Sequence, residues 1–206
     1  ADTAVAMTRG ASCSTMGRTL ASDDLTAVAS LVFTVSNAVG GTVALQPDGH
    51  TARFTPTPGF TGEMSYNFTA KDAGNLTSPS ATVRISEPVV ARNWTSVSSG
   101  NWSTAGNWNP ATTPVSARGT QLSFFSGHTV PGAARSFTQD IATPLRLNKL
   151  ALSGTGASGA NLTLDGNGLE FVRNGATLPV IDLTCTGGVA TYSVIQPITL
   201  AADITF

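Results

Sequence analysis

Asn93-Trp94-Thr95-Ser96-Val97-Ser98-Ser99-Gly100-Asn101-Trp102-Ser103-Thr104-Ala105-Gly106-Asn107-Trp108 is the stretch that contains all three tryptophans of this chain. The tryptophans follow one another after eight and then six residues, a spacing that fits neither a helical face nor one side of a single strand. The stretch is therefore predicted to be a compact loop region. It separates two halves with different patterns, so the 206-residue chain is predicted to contain two domains.

The composition excludes several classes of partner. Charged residues make up 11% of the chain, the formal net charge is -1, and Lys71 and Lys149 are the only lysines. Such a chain has no basic patch for nucleic acid or for an anionic membrane surface. No run of about 18 apolar residues is present, so we expect no direct membrane insertion. A surface of hydroxyls and amides instead of ions suits an extracellular protein.

Period-two alternation of apolar and polar residues dominates the first half. Five short runs show it, and Gly, Pro, Asn or Asp residues bound each of them: Leu31 to Val35, Val43 to Leu45, Ala52 to Phe54, Met64 to Ala70 and Ala81 to Ile85. Alternation of this kind is typical of strands with one buried face, and the turn residues favour antiparallel hairpins. Residues 1–88 are therefore predicted to form a β-sandwich.

A resemblance supports this prediction. The segments Gly41-Thr42-Val43-Ala44-Leu45-Gln46-Pro47-Asp48-Gly49, Gly59-Phe60-Thr61-Gly62, Ser65-Tyr66 and Lys71-Asp72 resemble the tandem immunoglobulin-like or cadherin-like repeats of large bacterial surface proteins. The resemblance covers roughly residues 20–87. It implies a seven-stranded Greek-key module that serves as one bead of a stalk.

The second half also contains only strand patterns. Short alternating pieces such as Leu162-Thr163-Leu164, Leu169-Glu170-Phe171 and Ile198-Thr199-Leu200 follow one another, with Gly, Asn and Asp between them. Strands this close together without helical filler favour stacked turns over long hairpins. We expect a Trp-rich linker and solenoid cap over residues 89–118 and a β-solenoid over 119–206.

A second resemblance covers roughly residues 92–206. The Trp94, Gly100-Asn101-Trp102 and Gly106-Asn107-Trp108 pattern, followed by Leu122-Ser123-Phe124, resembles the opening of proteins with autotransporter-associated β-strand repeats. It implies a large secreted bacterial protein with a right-handed β-helix. On this interpretation the three indole rings cap the first turn, and each N-H finds a carbonyl.

The alternative interpretation is a carbohydrate platform. Trp94, Trp102 and Trp108 would stack on sugar, with Asp165 and Glu170 nearby, in an accessory or catalytic module of a polysaccharide-degrading β-helix enzyme. Stacking on sugar requires coplanar exposed rings, which the spacing does not supply by itself.

No pattern of catalytic residues is present. The carboxylates after the tryptophans do not form an evident pair for glycoside hydrolysis, and no Gly-x-Ser-x-Gly motif occurs. His50 and His128 are isolated from other metal ligands and are expected to be solvated. The sequence predicts no catalytic residue, no enzyme activity and no cofactor other than calcium.

Calcium is the metal for which the sequence offers candidate ligands. Cadherin-like modules often bind it through Asp and Asn oxygens, and Asp23, Asp24 and Asp72 are the candidate ligands of a weak site. The alternative is that Asp23-Asp24 forms a solvated turn. Cys13 and Cys185 are the only cysteines. A disulfide between them, two free thiols and a bond to another molecule all remain open.

The last residues predict an uncovered turn. Ile198 to Leu200 and Ile204 to Phe206 read as two strands without a cap, whose open edge exposes unpaired backbone groups. We expect the rest of a longer surface protein, or another copy of the chain, to cover that edge. The sequence thus predicts a non-catalytic extracellular protein of a bacterial cell surface, a β-rich stalk or fibre segment in adhesion, with a glycan or host-surface molecule as a candidate ligand.

Overall fold

A computed structural model describes residues 3–6, 30–125, 134–155, 161–186 and 191–206. The chain divides into two compact units. The first contains residues 1–88 and 174–176, and the second contains residues 89–173 and 177–206. The fold is all-β, with an immunoglobulin-like unit at the N-terminus and a β-solenoid of about three turns after it, which confirms the predicted fold class.

Six strands of the first unit lie in the described residues. They are β1 Thr3–Ala6, β2 Val32–Val39, β3 Gly41–Leu45, β4 Ala52–Pro56, β5 Met64–Lys71 and β6 Ala81–Ser86. One sheet has the order β1-β6-β5-β2, and β3 and β4 form a second, two-stranded sheet. β1 runs parallel to β6, and the other neighbours are antiparallel. Residues 7–29 lie outside the described residues, so the implied seventh strand is not assigned.

The core of this unit comes from the alternating rows. Period-two alternation puts every second side chain of β5 on the inner face, where Met64, Tyr66, Phe68 and Ala70 are buried. The ring of Phe54 stacks on that of Tyr66 with centroids 6.3 Å apart. Burial of each such ring contributes about 1.5–3 kcal/mol.

The β3–β4 turn is held by a carboxylate. Asp48 accepts hydrogen bonds from the Thr51 hydroxyl and from the backbone N-H groups of His50 and Thr51. The Thr51 hydroxyl and these N-H groups lower the pKa of Asp48. His50, expected to be solvated, is instead half-buried and packs edge-on against Phe33 with centroids 5.5 Å apart. An imidazole carries enough apolar surface to pack on a ring at this position.

The second unit contains twelve described strands. They are β7 Val90–Trp94, β8 Gly100–Asn101, β9 Trp108–Asn109, β10 Thr120–Phe125, β11 Ala134–Gln139, β12 Leu145–Leu147, β13 Lys149–Thr155, β14 Asn161–Gly166, β15 Leu169–Phe171, β16 Val180–Thr186, β17 Thr191–Val194 and β18 Ile198–Leu200. Segment 89–118, predicted as linker and cap, contains β7, β8 and β9.

Parallel pairing stacks the turns of the solenoid. Three sheets have the orders β16-β13-β10-β7-β9, β17-β14-β11-β8 and β12-β15-β18. Each turn therefore contributes one strand to each sheet: β10, β11 and β12 form the first turn, β13, β14 and β15 the second, and β16, β17 and β18 the third. Neighbouring strands in such sheets lie about 4.8 Å apart.

Equivalent positions of successive turns form columns. Leu145, Leu169 and Ile198 stand in register in one sheet, and Phe124 and Leu152 stand in register in another. Leu145, Phe124 and Leu169 are completely buried. A column of apolar side chains thus fills the interior and holds the register, because a slip by one residue would turn the column outward.

Outward-facing charged side chains of neighbouring turns also pair with one another. Arg146 of β12 forms an ion pair with Glu170 of β15 at 2.6 Å, and Lys149 of β13 forms one with Asp182 of β16 at 2.8 Å. The Lys149 ammonium lowers the pKa of the Asp182 carboxyl. Both pairs are partly exposed, so each contributes little free energy by itself.

Candidate functional site

The tryptophan cluster is built on two short strands and the turns between them. Trp94 ends β7 and Trp108 begins β9, and the two are directly opposed in the antiparallel β7–β9 pair. Trp102 follows β8 immediately, and a single turn of 3-10 helix at Ala105–Asn107 leads into β9. The sequence interpretation as a compact loop missed these strands, because strands of two residues show no alternation.

Strand register places Trp94 at the base of an interior column. Its Cα partner in β10 is Phe124, and the partner of Phe124 in β13 is Leu152. The neighbouring column begins at Gly100, whose partner in β11 is Phe137. A Cβ on Gly100 would lie 2.7 Å from Nδ2 of Asn107, so the absence of a side chain there lets the turn close.

Five rings pack together at this base. Trp94 and Trp108 meet edge to face at 5.1 Å between centroids, and Trp102 and Trp108 do so at 5.8 Å, both with an interplanar angle of 85°. Phe124 and Phe137 complete the cluster, stacked at 5.5 Å. Edge-to-face and offset contacts are the favoured geometries for aromatic rings and add about 0.5–1.5 kcal/mol per pair beyond burial.

The burial of the rings bears on the sugar interpretation. Trp94 is 3% exposed, Trp102 is 0% exposed and Trp108 is 2% exposed. A sugar-stacking platform needs an accessible ring face, and these rings offer none. The geometry is that of a hydrophobic base on which the first turn of the solenoid rests.

The indole N-H groups differ from one another. Nε1 of Trp94 donates to the carbonyl of Ser96, and Nε1 of Trp108 donates to the carbonyl of Trp102, both at 2.9 Å. The Nε1 of Trp102 is buried and has no hydrogen-bond partner in the described part of the chain. The expectation that every indole finds a carbonyl is therefore wrong for Trp102, whose ring is enclosed by Trp108 and Phe124.

Buried amides at the corners of the solenoid were missed in the sequence. Gln139 ends β11 and is 1% exposed. Its Oε1 accepts from the N-H groups of Ile141 and Ala142, and its Nε2 donates to the carbonyls of Ala142 and Gly168. Gly168 belongs to the second turn, so one side chain closes its own corner and joins the next turn. The sequence signal that could have revealed it is a polar residue at a position of β11 where the period-two alternation calls for an apolar one.

The carboxylates proposed for sugar chemistry have separate structural partners. Asp165 accepts a hydrogen bond from the Ser136 hydroxyl, and Glu170 is paired with Arg146. The two acids lie in different sheets, in β14 and β15. Each one therefore links neighbouring turns of the solenoid.

Asp72, one of the candidate calcium ligands, holds a turn. Its Oδ1 accepts from the backbone N-H of Leu76 at 2.8 Å, and its carbonyl accepts from the N-H of Asn75. Asp23 and Asp24 lie outside the described residues, as do Cys13, the side chain of Cys185 and His128. Among the described residues there is no group of three or more His, Cys, Asp or Glu side chains placed to hold a metal ion.

Comparison with known proteins gave a match in the first unit. Residues 1–86 match the family model of the bacterial Ig domain. Comparisons of the chain with curated proteins and with solved structures gave no match. In the ranges that the structure describes, no helix is long and apolar enough to cross a membrane. The fold is thus an Ig-like unit joined to a β-solenoid, a combination typical of non-enzymatic surface proteins.

Proposed function

We propose that this chain is a non-catalytic structural or adhesive segment of a bacterial cell surface, in which an Ig-like bead precedes a β-solenoid stalk. The Ig-like unit supports an extracellular location, because bacterial Ig-like domains are commonly extracellular surface modules. The resemblance of the tryptophan region and of the following strands to autotransporter-associated β-strand repeats supports the same location for the solenoid.

The observation that carries the proposal is the continuous register of the solenoid. The column from Trp94 through Phe124 to Leu152 and the column from Leu145 through Leu169 to Ile198 keep their positions from turn to turn. Parallel ladders of hydrogen bonds with packed columns inside resist bending and shear, since each turn contacts its neighbours along its whole length. Such an element suits a load-bearing stalk.

The partners follow from this function. A stalk segment is joined to the rest of a longer surface protein or to other copies of itself, and its exposed surface meets a glycan or a host-surface molecule. The few charges on this chain limit electrostatic repulsion between neighbouring copies on a crowded surface. Nucleic acid and direct membrane insertion have no place in this proposal.

Surface display and adhesion test the proposal together. Intact cells of the source bacterium, treated with a protease that cannot enter them, should lose the chain from an immunoblot while a cytoplasmic marker survives. Deletion of the coding region should lower attachment of the cells to host surfaces or to each other, and expression of the same region should restore it. Survival of the chain in protease-treated intact cells would contradict the proposal.

Binding of the purified chain to a glycan array distinguishes the stalk function from the alternative, a carbohydrate-binding module. The stalk proposal expects any glycan signal to survive replacement of Trp102 by Phe, because that ring is enclosed in the core. Glycan binding that is lost in Trp102→Phe, with the fold retained, would instead support a carbohydrate-binding module.

A further inference from the structure

Two asparagines of this chain are followed directly by glycine. They are Asn167, before Gly168, and Asn174, before Gly175. In such a pair the backbone nitrogen of the glycine can attack the side-chain carbonyl carbon of the asparagine, because glycine has no Cβ to hinder the approach. The attack needs an amide that can turn and a glycine N-H that is not held in a hydrogen bond. The surroundings of each pair therefore decide its reactivity.

The reacting groups of Asn167 and Gly168 are free. The two residues form the corner between β14 and β15, and Asn167 is half-buried with its side-chain amide open to water. Neither this amide nor the N-H of Gly168 has a hydrogen-bond partner in the ranges that the structure describes. The backbone on the near side is held, since the Asn167 N-H donates to the Gln139 carbonyl at 2.7 Å.

Asn174 and Gly175 are the same two residue types in a closed setting. Asn174 is 5% exposed, and Gly175 is buried. Within the first unit, the Oδ1 of Asn174 accepts from the backbone N-H of Glu87 at 2.7 Å, and its Nδ2 donates to the Glu87 carbonyl at 2.9 Å. An amide fixed at both atoms turns toward the next nitrogen only after both bonds have broken.

We propose that Asn167 is a site of spontaneous deamidation, which converts this residue to isoaspartate and aspartate. The Gly168 nitrogen forms a bond to Cγ of Asn167 and loses its proton, while the Cγ–Nδ2 bond breaks and ammonia leaves. Water from the solvent then opens the resulting succinimide ring at either of its two carbonyls. The reaction needs no oxidant, reductant or enzyme. This inference goes beyond the proposed stalk function and does not rest on it.

The position of Asn167 gives the reaction a structural consequence. Isoaspartate adds one carbon atom to the main chain directly before Gly168. The Gly168 carbonyl accepts from the Nε2 of Gln139 at 3.2 Å and from the N-H of Leu145 at 2.9 Å. Both donors belong to the first turn of the solenoid, whereas Gly168 belongs to the second. A longer backbone displaces this carbonyl, so the modification loosens the corner that joins the two turns.

Peptide mapping of aged protein tests the site. The purified full chain is incubated in mildly alkaline buffer, digested and analysed by mass spectrometry, and isoaspartate methyltransferase marks isoaspartate but not aspartate. In the folded chain Asn167 should deamidate about thirtyfold faster than Asn174, because the Asn174 amide must first break two hydrogen bonds. In concentrated urea, where neither amide is held, the two rates should become similar.

Variants at Asn167 separate the longer backbone from the new charge. Asn167→Gln moves the side-chain carbonyl one methylene further from the Gly168 nitrogen and should stop the modification at this residue. Asn167→Asp, measured fresh, introduces the carboxylate without lengthening the main chain and is the matched control. Aged protein should unfold at a lower urea concentration in proportion to its isoaspartate content, whereas Asn167→Asp should unfold close to the fresh parent chain.

Several results would overturn the inference. It fails if Asn167 stays intact while Asn174 is modified, or if both react at the same rate in the folded chain. It fails equally if Asn167 reacts only in urea, because the folded corner would then protect it. Isoaspartate-containing protein as stable as Asn167→Asp would remove the consequence for the corner. The protease-accessibility and adhesion assays do not depend on these outcomes, so the modification site and the stalk function can fail separately.

Discussion

Trp94 lies directly below Phe124 in the interior of the solenoid. The two residues are Cα partners in the parallel β7–β10 pair, and their rings stack at 5.8 Å with an interplanar angle of 26°. The lowest turn therefore ends in a large ring instead of an open column. Because the ring also contacts Trp108 and Phe137, one residue closes two columns at once.

The indole N-H groups of Trp102 and Trp108 differ in their hydrogen bonds, so replacing each ring should lower the free energy of unfolding by a different amount. Trp108→Phe removes the donor to the Trp102 carbonyl and leaves that carbonyl buried, whereas Trp102→Phe removes an N-H without a described partner. We expect Trp108→Phe to lower the free energy of unfolding of the solenoid by about 1–2 kcal/mol more than Trp102→Phe does. Urea unfolding followed by tryptophan fluorescence measures this, since all three tryptophans lie in the second unit. Equal losses would show that the Trp102 N-H is satisfied.

Replacement by Leu should change the free energy of unfolding differently at Gln139 and at Gln196. Gln139→Leu leaves the N-H groups of Ile141 and Ala142 without their acceptor and should cost about 3 kcal/mol or more. Gln196 is 5% exposed, and its amide has no hydrogen-bond partner among the described residues, so Gln196→Leu should be neutral or slightly stabilising. The same urea titration compares them, and a large loss in Gln196→Leu would contradict the assignment of that amide as unpaired.

The glycine opposite Gln139 predicts a backbone requirement. Gly166→Ala forces a Cβ to within 2.3 Å of a carbonyl at a φ of +94° and should destabilise the solenoid by about 2–5 kcal/mol. Gly106→Ala is the matched control, since a Cβ there meets nothing within 4 Å and the residue has no positive φ. Thermal unfolding of both variants tests the pair. A Gly166→Ala chain as stable as the parent would refute the corner geometry.

The Asp140 carboxylate predicts a loss of stability in acid. Burial opposes its ionisation, but hydrogen bonds from the Ser103 hydroxyl and N-H outweigh this and lower the pKa below the ordinary value of 3.8. A lowered pKa means that this stabilisation is complete above the ordinary value and is lost as pH falls through the lower one. The mostly exposed carboxyl contributes less than about 1 kcal/mol.

Solenoid stability measured between pH 5 and about pH 2 tests this contribution. The Asp140→Asn chain should lose less stability over that interval than the parent chain. If the two pH profiles run parallel, the Asp140 carboxylate does not contribute in the folded state.

Local patterns predicted the strands well where they were long enough to alternate. The inward row of β5 from Met64 to Ala70 is buried as expected, and the strand pieces at Leu162 and Leu169 occupy interior columns. Strands of two residues, such as β8 and β9, are too short to show period-two alternation, so the sequence analysis missed them. The pairing of Trp94 with Trp108 was missed for the same reason.

The sequence by itself determined the all-β class and its Ig-like and solenoid-like parts, because alternation and turn residues are properties of local sequence. Only the tertiary structure decided which residues stand above one another. The alignment of Gln139 with Gly166, and of Leu164 with Val194, depends on parallel pairing between strands a full turn apart. Hydrogen bonding and packing across turns, which no local pattern encodes, therefore decided that the buried amide of Gln139 has partners and that the buried amide of Gln196 has none among the described residues.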